Sequence, residues 1–282
     1  MNGLIITGLA LAADFVGKQL LDAAERGNLE QVTHALDQGA NIEWRDRFGN
    51  DSTPLHTAAQ RGHESVVELL LDRGAYINAT SKENVTPLHF AAWYGHESVV
   101  GLLLDRGASI EAAAKDYATP LFNATHQAHE SVVRLLLDRG ASIEAAAKDN
   151  TTPLRIAVQL DHASVVELLL DRRASINATG SDHRTPLHAA TQLGHASVVE
   201  LLLDRQASIN ATGSDHRTPL HIAAQFGHAS VVGLLLDRRA SINVADGGNW
   251  TPLHGAAWYG RESVVRLLLA RGADPAIVSV RH

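Results

Sequence analysis

Cysteine is absent from all 282 residues, which excludes disulfides, thiolate metal ligands and cysteine nucleophiles together. An excess of basic charge is missing too: 24 Lys and Arg face 31 Asp and Glu, for a formal net charge of −7. Proteins that coat nucleic acid or anionic lipid select for basic surfaces, so neither partner is expected. No apolar run reaches the roughly 20 residues of a membrane span. The longest, Leu4 to Ala13, has the length and the small-residue end of a secretory leader, but no Lys or Arg precedes it. Residues 1–16 are read as an apolar segment capping the open N-terminal end of the fold, with a signal peptide over residues 1–13 as the alternative. The expected location is cytoplasmic, or secreted under that alternative. Motifs of the forms GxxxxGK[ST], HExxH and GxSxG are lacking as well. No catalytic residue, cofactor or metal site is therefore expected. Hydrophobic residues, at 45%, are ample for a packed core.

What the chain does have is a repeat. "TPL" begins at Thr53, Thr86, Thr119, Thr152, Thr185, Thr218 and Thr251, a spacing of 33 residues held without a slip. An upstream unit, "LLDAAERGNLEQVTHALDQGANIE", shows the same pattern without its TPLH. The array is thus assigned to residues 17–282: an N-terminal unit over about 17–52, seven units from Thr53, and a short tail at 276–282. Each unit reads as two short helices and a connection. In "TPLHIAAQFGH" Thr suits an N-cap, Pro the first helical position, and Gly227 a left-handed stop. "ASVVGLLLDRR" then carries a broad apolar face, and "ASINATGSDHR" is rich in turn formers and is expected to project as a hairpin. A unit this small cannot bury its apolar face alone, so the units must stack.

The period, with the pattern TPLH-x-AA-x-x-GH-x-x-VV-x-LLL in "TPLHTAAQRGHESVVELLLDRGA", closely resembles the ankyrin repeat. The resemblance implies an all-α solenoid of about eight helix-turn-helix units with β-hairpin or loop fingers. It also implies a structural hydrogen-bond role for the TPLH histidines (His56, His89, His188, His221 and His254) and for the GH histidines (His63, His96, His195 and His228). The octapeptide "SDHRTPLH", repeated at residues 181–188 and 214–221, then becomes scaffold rather than a duplicated active site. Eight N-x-[ST] sequons mostly arise from the repeat itself and carry no signal of secretion.

On a uniform scaffold, function belongs where the units disagree. Four residues after the repeat Thr stand Thr57, Phe90, Asn123, Ile156, Ala189, Ile222 and Gly255. The next variable positions carry Trp93 with Tyr94, Trp258 with Tyr259, and Phe226, and the residue before the Thr is Arg184, Arg217 or Trp250 in the later units. In ankyrin repeats such first-helix ends and finger tips line the concave partner-binding face, and free drift would give Lys, Glu or Ser more often than aromatics. Trp93, Tyr94, Tyr117, His183, Arg184, Arg217, Phe226, Trp250, Trp258 and Tyr259 are the candidate partner contacts. The C-terminal cluster of Phe226, Trp250, Trp258, Tyr259 and Arg217 is expected to dominate affinity. The central units depart from the pattern at Phe122, His126, Arg155 and Asp161, through degradation or as a specialised pocket. His126 and His129, three residues apart, could share a helical face, but His129 occupies a GH position and metal binding is not expected.

The expected function is a non-catalytic, monomeric scaffold for a protein partner. The runner-up is a recognition or autoinhibitory arm of a larger signalling assembly, and an enzyme with a site at the central units is the remote third reading.

Overall fold

The computed structural model describes residues 2–46 and 49–277, with side chains from residue 14 onward. The short tail assigned to 276–282 therefore lies, beyond Ile277, outside the described residues. The chain divides into two compact units, one ending at Lys148 and the other beginning at Asp149.

In the first unit α1 (Asn2–Arg26) and α2 (Leu29–Asp37) precede three further pairs: α3 (Pro54–Arg61) with α4 (Glu64–Asp72), α5 (Pro87–Tyr94) with α6 (Glu97–Asp105), and α7 (Pro120–His126) with α8 (Glu130–Asp138). The apolar N-terminal segment forms one continuous helix with the start of the first repeat, and Trp44 Nε1 donates to Asp14 Oδ1 at 3.1 Å beside it. The second unit holds α9 (Pro153–Gln159) with α10 (Ala163–Asp171), α11 (Pro186–Leu193) with α12 (Ala196–Asp204), α13 (Pro219–Phe226) with α14 (Ala229–Asp237), and α15 (Pro252–Trp258) with α16 (Glu262–Ala270).

Within each unit the odd-numbered helices pack side by side in one row and the even-numbered helices in a second. The repeated Ala pairs explain the closeness of the first row: Ala58, Ala59, Ala91, Ala92, Ala223 and Ala224 are fully buried, and a methyl lets neighbouring backbones approach. The Leu of TPLH fills the space between the rows, with Leu55, Leu88, Leu121, Leu154, Leu187 and Leu220 buried. From the second helices Val231, Val232 and Leu235 are buried, while Leu234 and Leu236 are only partly covered, so the apolar face is narrower than the sequence suggests.

Thr caps each first helix as expected, accepting from the third helical N–H in α3, α5, α7 and α9, with Pro next. Of the two finger forms expected, hairpin or loop, the described fingers take the loop form. Among the described residues they form no extended strand and are tight turns closed by one backbone bond, such as Ser81 N–H to Val85 O at 2.9 Å. Successive fingers are joined by equally sparse bonds, for example Ser214 N–H to Asp182 O at 3.2 Å, because a finger this short leaves no room for a ladder. Along the other edge, arginines at the ends of the second helices reach back one repeat, as in Arg139 to Asp105 at 2.7 Å and Arg205 to Asp171 at 2.8 Å. Exposed pairs of this kind contribute about 0 to 1 kcal/mol each.

Two glycine positions per repeat are left-handed, for different reasons. At Gly95 (φ 77°) an added Cβ would stand 2.6 Å from the His129 ring of the following repeat, so this glycine is required by packing as well as by conformation. At Gly74, φ is 91° and nothing lies within 4 Å, so only conformation matters. Arg173, Gln206 and Arg239 occupy that second place at φ 67°, 66° and 65°. A non-glycine residue held there costs about 1 kcal/mol. Arg173→Gly, Gln206→Gly and Arg239→Gly are each expected to raise the urea midpoint; unchanged or lowered midpoints in all three would contradict the conformational account.

Candidate protein-binding site

The TPLH histidines form the frame on which any site must sit. Thr53 N–H, which can only donate, meets His56 Nδ1 at 3.1 Å, so Nδ1 is the acceptor and Nε2 carries the hydrogen. Nε2 then donates to Val85 O, in the next finger, at 3.0 Å. The same bridge runs from His89 to Ala118 O (3.0 Å), His188 to Arg217 O (3.1 Å) and His221 to Trp250 O (2.9 Å). GH histidines bind in the opposite direction along the chain: His96 Nε2 meets Gln60 O at 2.9 Å and His129 Nε2 meets Trp93 O at 2.9 Å. Both sets of histidines are thereby committed to holding repeats together, as the resemblance implies.

Two arginines stand in for missing histidines. Arg155 replaces the TPLH imidazole in α9, and its Nη1 donates at 3.0 Å to Arg184 O, the carbonyl matching Val85 and Arg217 in the other repeats. Its Nη2 also meets Asp182 Oδ1 at 3.4 Å. Arg261 replaces the last GH histidine and donates from Nε to Gln225 O at 3.0 Å. At Arg155 the central departure thus still supplies a donor to the carbonyl that a histidine reaches in other repeats. Asp161, left-handed at φ 59°, holds its carboxylate 3.6 Å from His195 Nδ1 where a glycine would ordinarily sit.

The tip arginines are likewise occupied. Arg184 Nη2 donates to Asp215 Oδ2 at 3.0 Å and Nη1 to Gln192 Oε1 at 3.3 Å. Arg217 repeats this one finger on, with Asp246 Oδ2 at 3.0 Å and Gln225 Oε1 at 2.8 Å. Burial alone would raise the Asp246 carboxyl, but the N–H groups of Trp250 and Gly248 and the Arg217 guanidinium outweigh it and hold the group below the usual carboxylate range. Asp215 belongs to the second copy of the repeated octapeptide, whereas Asp246 stands two residues earlier in its own finger and nothing in the repeat pattern marks it.

The aromatic candidates remain on the surface. In the second unit Trp258 is 64% exposed, Tyr259 and Phe226 also face solvent, and Trp250 meets the Trp258 ring edge-on at 5.5 Å. His183 is exposed in the left-handed turn of its finger. In the first unit Tyr117 is 71% exposed with φ 62°, an unusual conformation for an aromatic. Tyr94 is exposed and accepts from Gln60 Nε2 at 3.1 Å, whereas Trp93 is half-buried and stacked on His126 at 5.1 Å. Phe122, in the place of a TPLH histidine, tilts against the same His126 ring. Trp93 and Tyr94 border a cavity of about 250 Å³ that also touches Phe90, Val85 and Asn123, all at positions where the repeats disagree. Glu83 and Lys115, also on its lining, are not distinguished by sequence because they belong to fingers, where variation is the rule. No group of three or more His, Asp or Glu among the described residues could hold a metal ion, and no helix there is long and apolar enough to cross a membrane.

This is the architecture of a repeat-built interaction module, and similarity to known proteins gives its family. The chain belongs to the ankyrin repeat family, whose three-copy model matches residues 20–114, 111–180, 131–213, 173–246 and 212–279. It is similar to the crystal structure of the human ASB11 ankyrin repeat domain, with a TM-score of 0.71 and 31% identity, covering 80% of this chain and all of that one. The probable E3 ubiquitin-protein ligase XBOS32 of Oryza sativa subsp. japonica is 33% identical over 78 residues, 28% of this chain and 16% of that protein. The histone-lysine N-methyltransferase EHMT1 of Homo sapiens is 33% identical over 69 residues, 24% of this chain and 5% of that protein. The match thus spans less than a fifth of the length of either curated relative. Ankyrin repeats generally mediate protein–protein interaction, and the fold is generally a non-catalytic module.

The histidine and arginine frame carries two testable consequences. Burial drives the His56 and His89 pKa values down to about 4, and lowers those of His188 and His221. As pH falls from about 6.5 the unfolded chain takes up protons that the folded chain refuses, so stability is complete above that value and is lost towards pH 4. His56 and His89 should each account for roughly 3 kcal/mol of that loss. Urea midpoints measured across this window should fall steeply in the wild type and less steeply in His89→Gln. Separately, Arg155→Ala should destabilise by about 1 to 3 kcal/mol, through the carbonyl of Arg184 left without its donor. Arg155→His should retain most of that stability in the same urea assay.

Proposed function

We propose that the chain is a non-catalytic scaffold that seats a protein partner on its concave face, across the first-helix ends and finger tips. One observation carries the reading: the histidines and arginines that look chemical are consumed by bonds between repeats, while Trp258, Tyr259, Phe226 and Tyr94 stand exposed on the first-helix ends. Aromatic side chains on a rigid frame are favoured interface anchors, since they contribute much contact area at little entropic cost. Arg184 and Arg217 enter this reading as residues that set the spacing of the fingers. The proposal places a monomeric array in the cytoplasm, in keeping with its lack of cysteine.

A second reading has its own support. The matched segments are small parts of relatives named as a ubiquitin ligase and a methyltransferase, which supports the runner-up reading of a recognition or autoinhibitory arm of a larger signalling assembly. The remote enzymatic reading loses ground at Arg155, whose guanidinium is already bound to Arg184 O.

The test is an affinity purification with the whole chain, identification of the retained protein, and titration of that protein against wild type, Trp93→Ala and Trp258→Ala. Trp258→Ala should weaken binding at least about tenfold without a matching loss of thermal stability. Full affinity in both variants would remove the aromatic surface from the function.

A further inference from the structure

The cavity beside Trp93 is built rather than incidental. The floor is His89, whose ring is fully hydrogen-bonded between Thr86 and Ala118 O and stays neutral through burial. One wall is Trp93, fixed by its stack on His126 of the following repeat at 5.1 Å and 24°. The other is Tyr94, steadied by Gln60 of the preceding repeat at 3.1 Å. Phe90, Val85 and Ala118 complete an apolar lining, and Asn123 reaches His89 O at 3.5 Å. Three successive repeats thus cooperate to hold one pocket open. Asn123 and His126, both at positions that vary between repeats, border it and brace it respectively.

Size and charge indicate the occupant. At about 250 Å³ the cavity is smaller than the roughly 300 to 1,000 Å³ of cofactor and small-ligand clefts, so it suits one large side chain of a partner. The charges on its rim, Glu83 and Lys115, are paired at 3.0 Å and leave the lining apolar. Around it the unit is acidic: residues 1–148 carry 19 Asp and Glu against 12 Lys and Arg, the whole of the −7, whereas residues 149–282 carry 12 of each. A field of that sign speeds the approach of a basic segment and repels an acidic one.

We infer that the Phe90, Trp93 and Tyr94 pocket is the primary anchor of the first unit and takes a large apolar side chain from a basic segment of the protein partner. The inference rests on the protein-binding reading above and adds to it the site and the chemistry of the segment. The polarity of the pocket decides which residue enters, and the charge of the unit decides what flanks it.

Selection of a random-peptide phage library on the whole immobilised chain tests this, with titration of the synthetic consensus peptide as the second step. The consensus should hold one large apolar residue flanked by Lys or Arg. Its affinity should fall at least about tenfold in Trp93→Ala and in Tyr94→Ala, the second being a surface change that leaves the fold intact, and should be unchanged in Trp258→Ala. Exchange of the flanking basic residues for Glu should abolish measurable binding, and added salt should weaken the parent peptide. A consensus with acidic flanks, or affinity insensitive to both pocket variants, overturns the inference. Peptides that lose affinity only in Trp258→Ala overturn it while leaving the protein-binding reading standing. No enrichment here, together with no protein retained in the affinity purification, overturns both.

Discussion

A buried imidazole can accept at one nitrogen while donating at the other, and the stack depends on this. Nδ1 of each TPLH histidine closes the turn that starts its own first helix, and Nε2 reaches the carbonyl at the base of the next finger. The bond is directional, which a stack of Leu and Ala surfaces is not, so it sets the register between repeats that apolar burial alone would leave loose. A buried carbonyl without its donor would cost about 1 to 3 kcal/mol, and the bridge recurs from His56, His89, His188 and His221, while Phe122 has no ring nitrogen to make it. His254 in the last repeat keeps the Thr251 half of the arrangement.

The requirement is for a donor at a place, and the residue that supplies it can vary. Arg155 and Arg261 make the point from two sides, since each is a guanidinium where a histidine is usual and each reaches the same backbone oxygen. A long flexible side chain can find an acceptor that a ring meets by geometry.

With the polar groups near the fingers committed to the scaffold, the surface left for recognition is mostly aromatic. That division comes from the repeat itself. Positions that must bridge to a neighbouring backbone are held to a donor, whereas positions on the first-helix ends and finger tips meet their neighbours through side-chain contacts that many residues can make, and they differ from repeat to repeat. The two aromatic clusters occupy such positions in separate units, one as a walled cavity and the other as exposed rings. Each is carried on the rim of its own unit, where a change of side chain leaves the core undisturbed.

The period, the caps and the apolar faces are local properties, so the sequence by itself determined the repeat boundaries, the helix pairs, the buried Leu and Val positions and the ankyrin family. It also determined which residues vary, and Trp93, Tyr94, Phe226, Trp258 and Tyr259 were legible for that reason. Which of the varied polar residues are free is a matter of distances across repeats, and only the tertiary structure decided it. Arg184 and Arg217 pair with Asp215 and Asp246 of the next finger, and Arg155 bonds the Arg184 carbonyl, contacts that the sequence does not display. The left-handed glycines show the same limit. Conformation explains Gly74, but Gly95 is also required by the His129 ring of the next repeat, a contact between residues 34 positions apart that no local pattern displays.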